Sequence, residues 1–479
     1  MTAYQPIKFQ DLYKDIFATL KKWKKQTSDT EELLEYLLIV RLQRRKEDVE
    51  HLPTRWRRAT NQVLIDAVDQ LEIEAQDQAM VIRSRFFDDN SVIRVGNIMN
   101  VADATVMRMQ RNGLDNLTKI IMTRESEARL HHRQVILSKF NPPTYKKLFG
   151  VDEAIEKLLK RLTITNDNWV VAVTGLGGIG KTSLADFVTR QVVGVFAYDD
   201  VVWIRIIHRS VERSSDAPKV TFEYLITQLA SHFFGEHSNP RFEQRLVQVR
   251  QRLQWTPHLV IIDNLEHEED TAYLMDQLRE LADPSRFLLT TRIQPESDAG
   301  LYTINLDELS QNDSIRLMRE YAADMALEVA MAVSDEELEA VYKLVGGNPQ
   351  ALKLVVGLFE ILPFEKLLDV LESGRAGQVD GLYKHIYWET WHTLSDESRT
   401  LLGVMPLVAE MGGDSGYLQT LSGLDETAYW PAVQQLQRRS LLEVRGGVHE
   451  KQYGVHRLTE TFVKNEIANW WEEAEGEDA

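Results

Sequence analysis

The stretch WVVAVTGLGGIGKTSLADF, beginning at Trp169, constrains this chain more than any other segment. An apolar run that reads as a buried strand leads into four glycines within six residues, then a lysine and two hydroxyls, then an amphipathic pattern that reads as a helix. Gly175, Gly180, Lys181 and Thr182 fit the spacing G-x-x-x-x-G-K-[ST] of a phosphate-binding loop. The chemistry needs that pattern. Bare backbone at Gly175, Gly177, Gly178 and Gly180 lets the N–H groups through Ile179 and Ser183 converge on phosphate oxygens, aided by the positive end of the following helix. Lys181 would reach the β and γ phosphates, and Thr182 would ligate Mg²⁺. Such a loop leaves the metal half-held, so a carboxylate is expected at the end of a second buried strand. HLVIIDNLE supplies Asp263. Asn264, the next residue, is not an acid, and Glu266 is the nearest carboxylate that could orient an attacking water, so slow hydrolysis is expected.

A strand feeding a helix through such a loop implies a parallel α/β sheet, and the surrounding sequence repeats that grammar. Apolar runs DVVWIRII, HLVIID, RFLLTT and LYTINL alternate with amphipathic helices, predicting a sheet covered on both faces. On either side the pattern is helical. The expected organisation is multidomain: a helical amino-terminal domain over 1–140, a phosphate-loop parallel α/β nucleotide-binding domain over 141–308, a small helical domain over 309–375, and a winged-helix domain with an acidic tail over 376–479. The diproline in KFNPPTYKKLFG marks the first boundary, and two β-like segments around Gly446–Gly447 suggest the wing.

Composition narrows the class of function. The 479 residues contain no cysteine, so disulfides and thiolate metal sites are excluded, and no apolar run approaches the length of a membrane span. The start of the chain lacks the apolar core of a signal peptide, and the expected location is cytoplasmic, with no membrane partner. Net charge is −18 but uneven: residues 1–150 carry 25 Lys+Arg against 20 Asp+Glu, whereas the remainder carries 30 against 53. A mildly basic leading domain before an acidic body is compatible with DNA without requiring it. No acceptor-substrate signature accompanies the phosphate loop, which argues against a metabolic kinase.

Five motifs in order, GLGGIGKT, VIIDNLE, LLTTR, VGGNPQAL and VHRL, carry a resemblance to the STAND class of signalling ATPases. The closest likeness is to the NB-ARC type found in plant resistance proteins, the apoptosome scaffold and bacterial regulators. It spans about 145–465. The resemblance implies that Arg292 senses the γ phosphate, that Pro349 packs on the adenine, and that Val151, in place of the family's usual arginine, lines the adenine pocket. It also implies that His456 contacts the β phosphate of ADP and holds a closed form, although Arg457 follows it where an aspartate is common. ATP/ADP and Mg²⁺ are then the cofactors, with exchange freeing the domains to rotate and self-associate. Family members usually carry a repeat sensor after the winged helix, so either the trigger binds the winged-helix face directly or a separate sensor or effector protein is a further expected partner.

Within the leading domain, the segment 78–121 reads as a helix-turn-helix. Ser91 can cap a short helix through Met99, NVA forms a turn, and a second helix starts near Asp103. Val106, Met109, Gly113, Leu114 and Leu117 recur at helical spacing as a buried stripe, leaving Met107, Arg108, Arg111 and Asn112 outside. Presented to a major groove, Arg108 and Arg111 would be DNA-binding residues and duplex DNA a partner. The competing reading is a helical adaptor that recruits an effector protein to an oligomerising defence or scaffold ATPase.

Overall fold

The computed structural model describes residues 7–24, 34–46, 54–163, 168–206, 217–235, 241–265, 267–295, 300–374, 379–408, 412–447 and 450–468. The chain forms two compact units: residues 1–139 with 193–199, and residues 140–192 with 200–479. No described helix is long and apolar enough to cross a membrane.

The first unit is helical: α1 (Phe9–Lys21), α2 (Leu38–Lys46), α3 (Arg55–Glu74), α4 (Gln76–Ile82), α5 (Val92–Met99) and α6 (Asp103–Leu137). Ser91 caps α5 by accepting from the Arg94 N–H at 3.2 Å, and Asn100, at φ 53°, ends it in the left-handed region. The apolar stripe of α6 is then buried. Val106 packs with Val81 and Val95, and Leu114, Leu117 and Ile121 join Leu12, Ile16, Leu64 and Leu71 in the main core. Each such leucine, fully buried, stabilises the unit by roughly 1.5–3 kcal/mol. The second helix starts at Asp103 as expected and extends beyond the segment 78–121, running 35 residues to Leu137. No glycine or proline interrupts 114–137, and Ile136 and Glu125 continue its buried side. The Glu125 carboxylate, 2% exposed, accepts from the N–H groups of Leu38 and Ile39 at 3.0 Å each, capping α2.

The second unit begins with α7 (Asp152–Thr163), β1 (Val170–Gly175), α8 (Lys181–Gly194), β2 (Asp200–Arg205), α9 (Ala217–Phe234), α10 (Phe242–Trp255), β3 (His258–Leu265), α11 (Glu268–Leu281), β4 (Arg286–Thr291) and β5 (Leu301–Leu306). The strands form one parallel sheet in the order β2-β3-β4-β1-β5. All five apolar runs read from the sequence are strands. Their continuous apolar character follows from burial on both faces, as Val260, Ile262, Phe287 and Leu289 pack under α9, α10 and α11. Because β4 lies between β1 and β3, the carboxyl ends of all three strands meet at one edge.

Ten more α-helices and a hairpin follow among the described residues: α12 (Gln311–Asp324), α13 (Glu328–Ala332), α14 (Asp335–Val345), α15 (Pro349–Leu358), α16 (Phe364–Gly374), α17 (Val379–His392), α18 (Asp396–Val404), α19 (Ser415–Ser422), α20 (Glu426–Arg438), the antiparallel pair β6 (Glu443–Gly446) and β7 (Lys451–Gly454), and then α21 (Arg457–Phe462). One apolar core, joined by Phe149, runs from Leu309 to Ile467. Residues on both sides of the expected boundary at 375 therefore share a single interior. Tyr387 of α17 stacks on Phe462 of α21 at 5.2 Å, and the Trp388 ring meets the same phenylalanine edge-on at 5.3 Å.

Candidate functional site

The carboxyl edge of the sheet carries the loop 175–182 and the residues expected to serve it. Gly180, at φ 103°, adopts a conformation that side chains resist, and nothing stands within 4 Å of where its Cβ would be. Lys181 Nζ donates to the carbonyls of Gly175 and Leu176 at 2.8 Å each, so the cation curls over its own loop. Thr182 Oγ1 donates to Asp263 Oδ1 at 2.8 Å, across the intervening strand β4. Thr290 on β4 fills that gap, donating to the same Asp263 oxygen at 2.5 Å and accepting from the Asn264 N–H at 2.9 Å. Asp263 is buried at 5% exposure, where an unpaired carboxylate would be costly. These oxygens are hard donors of the kind Mg²⁺ takes, and their approach fits a cation shared with phosphate groups.

Asn264 is committed elsewhere. Its φ of 76° accompanies a register shift between Ile262 and Leu265, and its amide donates to the Ile206 carbonyl at 3.1 Å. Glu266 lies outside the described residues. Arg292, just past β4, brings its guanidinium over the loop: a Cβ at Gly177 would stand 2.9 Å from Nη2. Ile179 is buried beneath the loop, and Ser183 lies half-buried in the first turn of α8. Val151 precedes α7, its carbonyl accepting from the Ile155 N–H at 2.9 Å.

Two more segments of the second unit reach the same loop. Pro349 occupies the first turn of α15, where its missing N–H costs nothing, and Asn348 caps that helix. The Asn348 Nδ2 donates to the Gly177 carbonyl at 2.8 Å. From the other side, Leu458 approaches closely enough that a Cβ on Gly178 would lie 2.9 Å from its Cδ1. His456 caps α21, its Nδ1 accepting from the Leu458 N–H at 3.2 Å. Burial pushes the His456 pKa down to about 4, with Lys353, Arg205 and Lys181 acting in the same direction and Glu443 opposing them. The imidazole is therefore neutral at pH 7 and, with Nδ1 accepting, carries its proton on Nε2.

Asn348, Thr290 and Leu458 were not singled out from the sequence. Asn348 had a legible signal, since Asn-Pro is a helix cap followed by a first-turn proline. Leu458 had none, because its role exists only once α21 lies over the loop. Arg108 and Arg111 belong to the first unit, where both are exposed on α6 beside Met107.

Comparison with known proteins agrees with this architecture. Residues 151–328 match the family model of the NB-ARC domain. Disease resistance protein RGA4 of Oryza sativa subsp. japonica is 27% identical over 219 residues, 44% of this chain and 21% of that protein. Disease resistance protein RPP8 of Arabidopsis thaliana is 25% identical over 223 residues, 44% of this chain and 23% of that protein. The chain thus spans less than a quarter of the length of these relatives. Among solved structures, the STAND protein PH0952 of Pyrococcus horikoshii, which has a tetratricopeptide repeat sensor, aligns at 21% identity and a TM-score of 0.42, covering 68% of this chain and 44% of that one. With the family match laid over the loop, the Thr182–Asp263 pair and Arg292, residues 151–328 form a P-loop NTPase domain of the NB-ARC type.

Proposed function

We propose that this chain is an ATP/ADP-switched signalling regulator in which slow hydrolysis resets an ADP-held closed form. One observation carries the reading: groups from β3, the turn after β4, the cap of α15 and the first turn of α21 converge on a single phosphate loop. A machine for turnover needs only the first two. In this reading residues 309–375 are the small helical domain and 376–468 the winged helix. Lys181 neutralises phosphate charge, and Thr182 and Asp263 hold Mg²⁺. Arg292 addresses the γ phosphate, Val151 and Pro349 flank the adenine, and the Nε2–H of neutral His456 is a donor for the β phosphate. Bound nucleotide supplies the anionic charge that these groups complement. The amide of Asn264, tied to a backbone carbonyl, supplies no second carboxylate, which favours slow turnover. The amino-terminal unit delivers the regulator to duplex DNA through Arg108 and Arg111.

The direct test is calorimetric titration of the full chain with ADP and with ATP. Lys181→Ala should weaken both by at least about tenfold, the loss of one charge-assisted contact, and Asp263→Ala should weaken binding only when Mg²⁺ is present. Unchanged ADP affinity in Lys181→Ala contradicts the assignment.

A second reading of the amino-terminal unit has its own observation. Ile93, Ile98 and Met107 are 63%, 52% and 54% exposed on α5 and α6, a surface suited to a protein partner. The chain would then be an oligomerising defence ATPase that recruits an effector, in keeping with the names of its plant relatives.

A further inference from the structure

The glycines of the loop were read as bare backbone for phosphate, yet Gly178 is bare for a second reason. At φ 74° it lies under the start of α15: a Cβ there would stand 2.9 Å from Gln350 Cβ and 3.0 Å from Asn348 Oδ1. The loop has an inner face open to phosphate, at Gly180, and an outer face covered by protein.

Asn348 is wholly buried, and both ends of its amide are used. Oδ1 accepts from the N–H groups of Gln350 and Ala351 at 3.1 and 3.3 Å, fixing the first turn of α15. Nδ2 reaches Gly177 O at 2.8 Å, 171 residues away in sequence. From there α15 packs against α17, and the Tyr387 hydroxyl of α17 lies 3.2 Å from Thr459 Oγ1. Thr459 is buried in α21, three residues after His456.

We propose that Asn348 is a positioning residue that makes the phosphate-loop backbone itself a sensor, passing its conformation through α15, the packed helix α17 and the Tyr387–Thr459 contact to the segment that bears His456. The physical basis is the double use of one side chain. A shift of the Gly177 carbonyl either drags the cap of α15 with it or breaks the Nδ2 bond, leaving a buried donor unsatisfied. The loop and the helix therefore move together or separate in one step. This coupling rests on the switch reading for its consequence, but not for its existence, since every bond in it is protein to protein.

Asn348→Ser isolates the bond. Serine caps a helix about as well as asparagine but is too short to reach Gly177, and Asn348→Asp keeps the cap while turning an oxygen toward the carbonyl. Two measurements on the full chain test the idea. In hydrogen–deuterium exchange without nucleotide, Asn348→Ser should raise exchange of residues 176–180 and 457–462 together by about three- to tenfold, the worth of one buried hydrogen bond, with α15 unchanged. With fluorescent ADP, both variants should release the ligand faster by a similar factor, Asp more than Ser. Exchange of both segments at the parental rate overturns the inference, and so does a rise confined to α15, which would make Asn348 a cap alone. If the parent binds no ADP, the switch reading fails and the exchange arm still decides this one.

Discussion

At the scale of single residues, the site is organised by satisfaction of buried polar atoms more than by charge pairing. Asp263 is held by two hydroxyls, Asn348 by two N–H groups and a carbonyl, and His456 by the backbone of its own helix. His456 is the member that pH can interrogate. Its folded pKa of about 4 lies below the ordinary histidine value, so between pH 6.5 and 4 the unfolded chain binds more protons than the folded one. Its contribution is intact above about pH 6.5 and is lost as pH falls toward 4. Asparagine at 456 would keep the cap without titrating. The thermal midpoint of the parent should therefore fall more steeply than that of His456→Asn from pH 7 to 4.5. Added ADP should shrink the difference if its phosphate, an anion beside the ring, raises the pKa. Parallel curves for the two proteins would place the histidine in contact with solvent and remove it from the latch.

At the scale of elements, the sheet and the helix pair α5 and α6 were legible in the sequence for local reasons. Continuous apolar runs announce a strand buried on both faces, and Ser91, Asn100 and the stripe from Val106 to Leu117 announce two helices and a turn. The length of α6 was not legible as a limit, because nothing in 118–137 marks a stop. The Asn264 conformation was hidden as well: a residue at the end of an apolar run looks like a functional successor to Asp263, whereas the local register shift turns it to the neighbouring strand. For α6 the two readings of the amino-terminal unit separate experimentally. Arg108→Ala with Arg111→Ala removes two exposed charges and leaves the buried stripe intact, so thermal stability should hold within about 0.5 kcal/mol. If these arginines neutralise phosphates, the slope of log affinity against log salt for duplex DNA should fall by about 0.9 for each. Unaltered DNA binding in the double variant, or none by the parent at low salt, would leave the apolar surface of Ile93, Ile98 and Met107 as the functional face.

At the scale of the whole molecule, the motifs that were legible are those expected to serve a nucleotide, and the contacts that were not are those joining distant segments to the loop. The glycine-rich loop, the aspartate and the Arg292 position each follow a strand, so their chemistry is written within a few residues of a recognisable element. Asn348, Tyr387 and Thr459 are unremarkable where they stand in sequence and acquire meaning only when the shared core from Leu309 to Ile467 stacks them in line. That core unites α12 to α21, and Asn348 and Leu458 carry it to the loop. The central claim is that nucleotide identity decides whether it stays there. Sedimentation velocity of the full chain tests this most directly, comparing ADP with ATP and Mg²⁺ at equal protein concentration. The account predicts a compact species with ADP and a shift to an expanded or self-associated species with ATP, abolished in Lys181→Ala. Identical sedimentation with the two nucleotides, both shown to be bound, would contradict it.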